Sequence, residues 1–394
     1  MKPLSFLLAP DSLKGSLSAT QACHAMQRGA ERAVGSRVVQ FQRVPLADGG
    51  EGTIEAFVVA IGGEVWTHIV RGPLGQLVEA QWAILPDGTA VIEMAQASGL
   101  TLVADGERDA MRASSYGTGQ LIRAALNAGC RELLIGVGGS ATTDGGSGAL
   151  SALGARFLDA NGEELPPGGA ALSQLATVDL QRFDHRVLDC QLRVLCDVTN
   201  PLCGERGAAR VYGPQKGASS VEVALLDAAL SHFADVTRES YGADLRELIE
   251  ARDEAGAGAA GGIAFGLMSY CGAQLISGIE AVLQAAHFSE KLETANLVLT
   301  AEGVIDEQTP QGKTLAGVAR AARNAKSGMR VPVVAFGGRV ALGGEELSQM
   351  GIAAAFPLAD GPQTIEYSMS HAAELLEAAT ERAIRLWLCG QYSS

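Results

Sequence analysis

Residues 4–9 form a short apolar run closed by Pro10-Asp11, the pattern of a buried strand followed by a loop. Ser18 precedes residues 19–34, where Ala22, Met26, Ala30 and Ala33 recur at helical spacing, so an N-capped helix is expected there. A second apolar strand at 38–44 ends in Pro45-Leu46-Ala47-Asp48-Gly49-Gly50-Glu51-Gly52-Thr53 and leads into a helix through Ile61. This β-loop-α-β-loop-α opening marks an α/β sheet. Ligands of such sheets sit beyond the carboxyl ends of the strands, so the loops at 11–18 and 47–53 are expected to carry chemistry. Residues 65–70, 78–85 and 90–94 then alternate apolar and polar positions around a Pro86-Asp87-Gly88-Thr89 hairpin turn, which predicts antiparallel pairing. Helices are expected at 117–128 and 221–238, strands at 132–137 and 192–196, and a surface loop at 165–176. Short buried strands return at 296–300, 331–336 and 353–358, with helices at 315–324 and 372–388. The expected fold class is α/β, with residues 1–71 and 278–394 forming one sheet domain and residues 72–277 inserted as a second α/β domain with a mixed sheet.

Composition narrows the class of protein. A chain of 394 residues with 47% apolar and 19% charged residues can bury two cores, and its 49 glycines point to many tight βα turns. The net charge of −14 argues against a nucleic-acid surface and requires local lysines or arginines for any anionic ligand. Seven cysteines without a C-x-x-C pair read as reduced core residues of a cytoplasmic protein. The apolar run at the start is too short for a signal peptide. Residues 255–279 carry no charge, but seven of them are glycine and no basic anchors flank them, so a buried glycine-rich helix is expected instead of a membrane span.

The richest chemical signal is the stretch from Gly136 to Gly148, six glycines within thirteen residues after a buried strand. Backbone N–H groups of such a loop can close on a phosphate, with Ser140, Thr142 and Thr143 as hydroxyl donors and the N-terminus of a following helix facing the same anion. A packing turn is the alternative. Gly136-Val137-Gly138-Gly139-Ser140-Ala141 also fits the dinucleotide pattern, with Asp159 near the ribose-ligand spacing, but Asp144-Gly145-Gly146 delays the helix that an NAD site requires. Gly312-Lys313-Thr314 ends like a Walker A loop, yet Glu307 stands where its first glycine belongs.

Carboxylates recur beside glycines in strand-end loops: Asp48, Glu51, Asp144, Asp197, Glu302 and Asp306. Groups placed so can hold Mg²⁺ or take a proton from a hydroxyl. Lys14, in Pro10-Asp11-Ser12-Leu13-Lys14-Gly15-Ser16, and Lys216, in Gly213-Pro214-Gln215-Lys216-Gly217-Ala218, could each bind a phosphate or a substrate carboxylate. No histidine lies in a glycine-rich loop and no G-x-S-x-G occurs, which disfavours histidine-base and serine-hydrolase chemistry.

Taken in order, these stretches resemble the glycerate kinase family of bacterial type. The matching pieces are 9–19, 45–53, Glu93-Met94-Ala95-Gln96-Ala97-Ser98-Gly99-Leu100, Ser115-Tyr116-Gly117-Thr118-Gly119, 136–148, 197–204, 213–218, 256–262 and 303–313. Leu13 stands where the family often has phenylalanine, and Thr143 where it often has asparagine. The resemblance implies ATP-dependent phosphorylation of D-glycerate with Mg²⁺, usually at the 2-hydroxyl, in organic-acid catabolism. It also implies that the domain built from both chain ends is Rossmann-like. Phosphorylation at the 3-hydroxyl, or an NAD-linked sugar-acid enzyme or binding protein, are the alternatives. The expected roles are Gly138, Gly139, Ser140, Thr142, Asp144 and Lys216 on the nucleotide phosphates, Ser12, Ser16 and Lys313 on the substrate, and Asp48 and Glu302 on the metal. Asp197 is expected to be the general base, with Lys14 neutralising charge and Asp306 the next candidate base. No nucleic-acid or membrane partner is expected, and the chain is expected to act as a monomer or homodimer.

Overall fold

The computed structural model describes residues 4–241, 250–307, 309, 314–324 and 331–391. They fall into two compact units: Met1–Asp48, Glu55–Ile61 and Ile279–Ser394, and Gly49–Ile54 with Gly62–Gly278.

The first unit holds a five-stranded, all-parallel sheet drawn from both ends of the chain. Its strands are β1 (Leu4–Leu8), β2 (Val39–Arg43), β11 (Leu297–Ile305), β12 (Val333–Val340) and β13 (Ala354–Pro357), in the order β13-β12-β11-β1-β2. β1 is the hinge of the register, with Leu8 opposite Leu299 on one side and Arg43 on the other. Helix Ala19–Val34 starts at a capping box: Gln21 N–H donates to Ser18 Oγ, and Ser18 N–H donates to Gln21 Oε1. Its buried face, which includes Ala22, Met26 and Ala30, joins Phe6, Leu8, Leu376 and Ile384 in one core. β11 runs further than the apolar run at 296–300 suggests, because pairing with β12 continues through Glu302 opposite Gly337 to Ile305 opposite Val340. Glu302 is therefore a strand residue and not a turn residue.

The second unit holds a six-stranded mixed sheet in the order β10-β9-β6-β5-β4-β3. β3 (Glu64–Arg71), β4 (Leu77–Ile84) and β5 (Ala90–Glu93) pair antiparallel, while β5, β6 (Glu132–Gly136), β9 (Gln191–Leu195) and β10 (Gln274–Ile276) run parallel. A small hairpin of β7 (Arg156–Leu158) and β8 (Thr177–Asp179) stands apart from this sheet. The boundary expected at residue 72 is corrected here: all of β3 is registered on β4, from Glu64 opposite Ile84 to Arg71 opposite Leu77, so residues 62–71 belong to the second unit, as does Gly49–Ile54. The uncharged stretch contains the buried helix Ala259–Cys271, whose first turn is broken by three successive left-handed residues, Ala260, Gly261 and Gly262. Among the described residues no helix is long and apolar enough to cross a membrane.

Candidate active site

In the first unit the chain steps from β1 to β2 on one side and later returns to β11 on the other. That reversal is a topological switch point, and open α/β sheets bind ligands beyond the strand ends there. Asp11 sits at this position: its N–H donates to the Ala301 carbonyl at 2.9 Å, beside Glu302 of β11. Its carboxylate accepts from Ser12 N–H at 2.6 Å and from the Thr314 hydroxyl at 2.5 Å. Burial and then the negative charge of Asp48 push Asp11 up to about 7, against the pull of those two hydrogen bonds and the charge of Lys14. Asp48 reaches this edge because Leu46 N–H bonds to the Pro10 carbonyl at 2.9 Å, which lays the segment after β2 along the segment after β1. Asp11 is missing from the residues selected by sequence. The rule that singled out Asp48, a carboxylate closing a parallel strand, would have found it.

The other selected residues of this unit are distributed unevenly. Lys14 is exposed in a turn that Ser16 closes by donating its hydroxyl and its N–H to the Leu13 carbonyl, both at 2.8 Å. Ser12 and Asp48 are half-buried, as are Glu302 and Asp306. Asp306 N–H donates to the Thr309 hydroxyl at 2.9 Å. Lys313 lies outside the described residues.

In the second unit the parallel strands end in register, with Glu93 opposite Gly136 and Gly136 opposite Leu195. The glycine loop and Asp197, two residues past β9, therefore share one sheet edge with Glu93. Glu93 is 2% exposed and accepts from Ile54 N–H at 2.7 Å; burial raises its pKa, against that bond and one from Gln96. It caps the segment entering helix Thr53–Ile61. Asp197 is half-buried, and its charge adds to the burial that pushes the Cys196 thiol up to about 11.

The glycine loop corrects the expectation of a cradle running from Gly136 to Gly148. Residues 141–148 are all buried, and only Gly138 and Gly139 keep accessible surface, with Ser140 at 6%. Most of its glycines serve close backbone contact: a Cβ on Gly138 would stand 2.5 Å from Gly50 Cα, and one on Gly136 would stand 2.7 Å from the Gly49 carbonyl oxygen. Gly261 presses on Thr142 in the same way and accepts from Gly145 N–H at 3.0 Å. Gly139 differs. It is exposed, with φ +74 and only Ala95 Cβ in ordinary contact at 3.5 Å.

Three expected phosphate ligands are thereby turned inward. Asp144 accepts from Ser115 N–H at 2.7 Å, Ser115 Oγ at 2.8 Å, Gly146 N–H at 3.1 Å and Gly148 N–H at 3.3 Å. The anion at the start of helix Ser147–Ala152 is thus the chain's own carboxylate. Thr142 is fully buried, and its hydroxyl has no hydrogen-bond partner among the described residues. Lys216 is 2% exposed and donates to Ser140 Oγ at 2.9 Å and to the Thr142 carbonyl at 2.6 Å. What remains for a ligand is the tip, Gly138-Gly139-Ser140.

The profile of the family described as "Glycerate kinase family" matches residues 6–388. A glycerate kinase of Bacillus subtilis (strain 168) is 45% identical over 375 residues, covering 95% of both chains. A glycerate 2-kinase of Escherichia coli (strain K12) is 44% identical over 364 residues, covering 92% of both. A crystal structure from Salmonella typhimurium LT2, presented as a glycerate kinase 2, superposes with a TM-score of 0.81 at 40% identity, covering 99% of this chain and 100% of that one. With the family profile, the relatives and the superposed structure each covering more than nine-tenths of it, the chain belongs to the glycerate kinase family of kinases.

Proposed function

We propose that this kinase transfers the γ-phosphoryl group of ATP to the 2-hydroxyl of D-glycerate, giving 2-phosphoglycerate and ADP, with Mg²⁺ as the required cation. The observation that carries this reading is the placement of Asp11 and Asp48 at the switch point of the first unit, where Asp11 N–H bonds the Ala301 carbonyl and Leu46 N–H bonds the Pro10 carbonyl, so that both loops close the same strand ends. Such a pair suits a divalent cation, since Mg²⁺ needs one or two carboxylates beside substrate phosphate oxygens and water. Asp48 would hold it with Asp11 or Glu302 as a second carboxylate; among the described residues no three metal-ligating side chains group together, so the remaining positions would fall to phosphate oxygens and water. When bound, the cation offsets charge on the transferring phosphoryl group.

The remaining roles belong to the chain. Lys14, exposed in its tight turn beside Ser12, meets the substrate carboxylate or the phosphoryl oxygens. The Gly138–Ser140 tip of the second unit meets the nucleotide phosphates through its backbone. Asp197 takes the proton of the attacking hydroxyl, a contribution of about a hundred- to ten-thousandfold, with Asp306 next in line. The 2-position follows the name of the Escherichia coli relative.

The test is ADP release from ATP and D-glycerate with and without Mg²⁺, and identification of the product by ³¹P NMR. A 3-phosphate product would overturn the position, and ADP release that ignores Mg²⁺ would remove the cation. Gly139→Val forces a branched residue into a left-handed conformation on the tip and should raise the KM for ATP. An unchanged KM would take the tip out of the nucleotide site.

A further inference from the structure

The tip Gly138–Ser140 is held at both ends. On one side Gly138 N–H donates to the Gly49 carbonyl at 3.0 Å. On the other, Ser140 Oγ and the Thr142 carbonyl both receive the buried ammonium of Lys216, at 2.9 and 2.6 Å. Lys216 arrives from a separate segment, the turn Pro214–Lys216, closed by Gly217 at φ +95. That turn is itself pinned: a Cβ on Gly217 would stand 2.5 Å from the Arg108 carbonyl oxygen, and Arg108 Nη1 donates to the Gln215 carbonyl at 3.3 Å. Asp144 of the loop is the charged group that faces Lys216, and its charge partly offsets the burial that brings the amine down to about 7. An ammonium kept out of water is costly unless acceptors compensate it, and here the acceptors are Ser140, which ends the tip, and Thr142, two residues beyond it.

We propose that Lys216 is the positioning residue of the tip: without touching ligand, it holds Ser140 and Thr142 so that the tip's backbone keeps one conformation for the nucleotide phosphates. The proposal rests on the reading that the tip is the nucleotide side of the reaction. Lys216→Met keeps the volume and removes the donors, whereas Ser140→Ala removes one of the two bonds and leaves the lysine in place. Lys216→Met should raise the KM for ATP about tenfold or more, and Ser140→Ala should raise it less. The KM for D-glycerate and kcat at saturating ATP should stay within about threefold in both.

The two variants and Gly139→Val are assayed side by side, with folding checked by circular dichroism. If Lys216→Met fails to fold, Ser140→Ala carries the test. An unchanged KM for ATP in the folded variants, or an equal rise in both substrates' KM, overturns the positioning role. If Gly139→Val alone raises the KM for ATP, the role falls and the nucleotide reading stands. If Gly139→Val also leaves it unchanged, the nucleotide reading falls with it.

Discussion

Asp11 and Asp144 are both acids raised by burial, and what surrounds them separates a chemical group from a structural one. Asp144 accepts four hydrogen bonds, two from Ser115 and one each from Gly146 and Gly148. Asp144→Asn turns part of that acceptor into a donor facing donors. It should cost about 3 kcal/mol in urea unfolding, the scale of breaking a buried charged partnership; a loss under about 0.5 kcal/mol would show that the network is slack. Asp11 has a hydroxyl, one N–H and a neighbouring carboxylate instead. Its folded pKa of about 7 lies above the ordinary 3.8, so between those values the native state binds a proton that the unfolded state has released. Stability contributed at this site therefore falls as pH rises through that window. In chelator-containing buffer, Asp11→Asn should become progressively more stable relative to the native sequence between about pH 4 and pH 7. A pH-independent difference would show that Asp11 ionises normally. Neither environment is legible in sequence: both residues appear there as aspartates next to turns.

At the scale of elements, the periodic segments were the readable ones. Helix Ala19–Val34 follows from its spacing and from Ser18, because both signals lie within a few residues of each other. The extension of β11 through Glu302 is not readable, since its partner β12 begins 28 residues after β11 ends and decides how far the pairing runs. Gly29 illustrates the same limit. Helical propensity alone favours alanine over glycine by about 1 kcal/mol. Yet a Cβ on Gly29 would collide with the Glu377 carbonyl oxygen and stand 2.9 Å from Thr380 Cβ, on helix Ala372–Gln391. Overpacking wins at such a contact, so Gly29→Ala should destabilise by about 1–3 kcal/mol and lower the Tm. A raised Tm would mean that the two helices can separate at little cost. The contact is further tied by Glu377, which pairs with Arg28 at 2.7 Å and Arg32 at 2.5 Å.

Over the whole molecule, the expectation of seven reduced core cysteines is corrected in part: each is free, but Cys190, Cys196 and Cys203 are half-buried and Cys389 lies at the surface. Cys23, Cys130 and Cys271 are buried and only Cys389 is exposed. Burial pushes the Cys23 and Cys203 thiols up to about 12 and raises that of Cys271 as well. With a disulfide reagent near pH 8, Cys389 should account for the fast phase, and Cys389→Ser should abolish it; a fast phase that survives would reveal opening at a partly buried thiol. Alternation of apolar and polar positions, turn chemistry and the order of the motifs were enough to place most strands and helices, to join both chain ends in one sheet and to indicate the family. Those features depend on neighbours a few positions apart, and the chain carries them before it folds. Which carboxylates meet, and which charged side chains turn inward, came from pairings across great lengths of chain: Thr314 on Asp11 spans 303 positions, and Lys216 on Ser140 spans 76. A side chain's charge state is set by the dielectric and the dipoles around it, and for these groups that environment exists only after the sheets and loops have assembled.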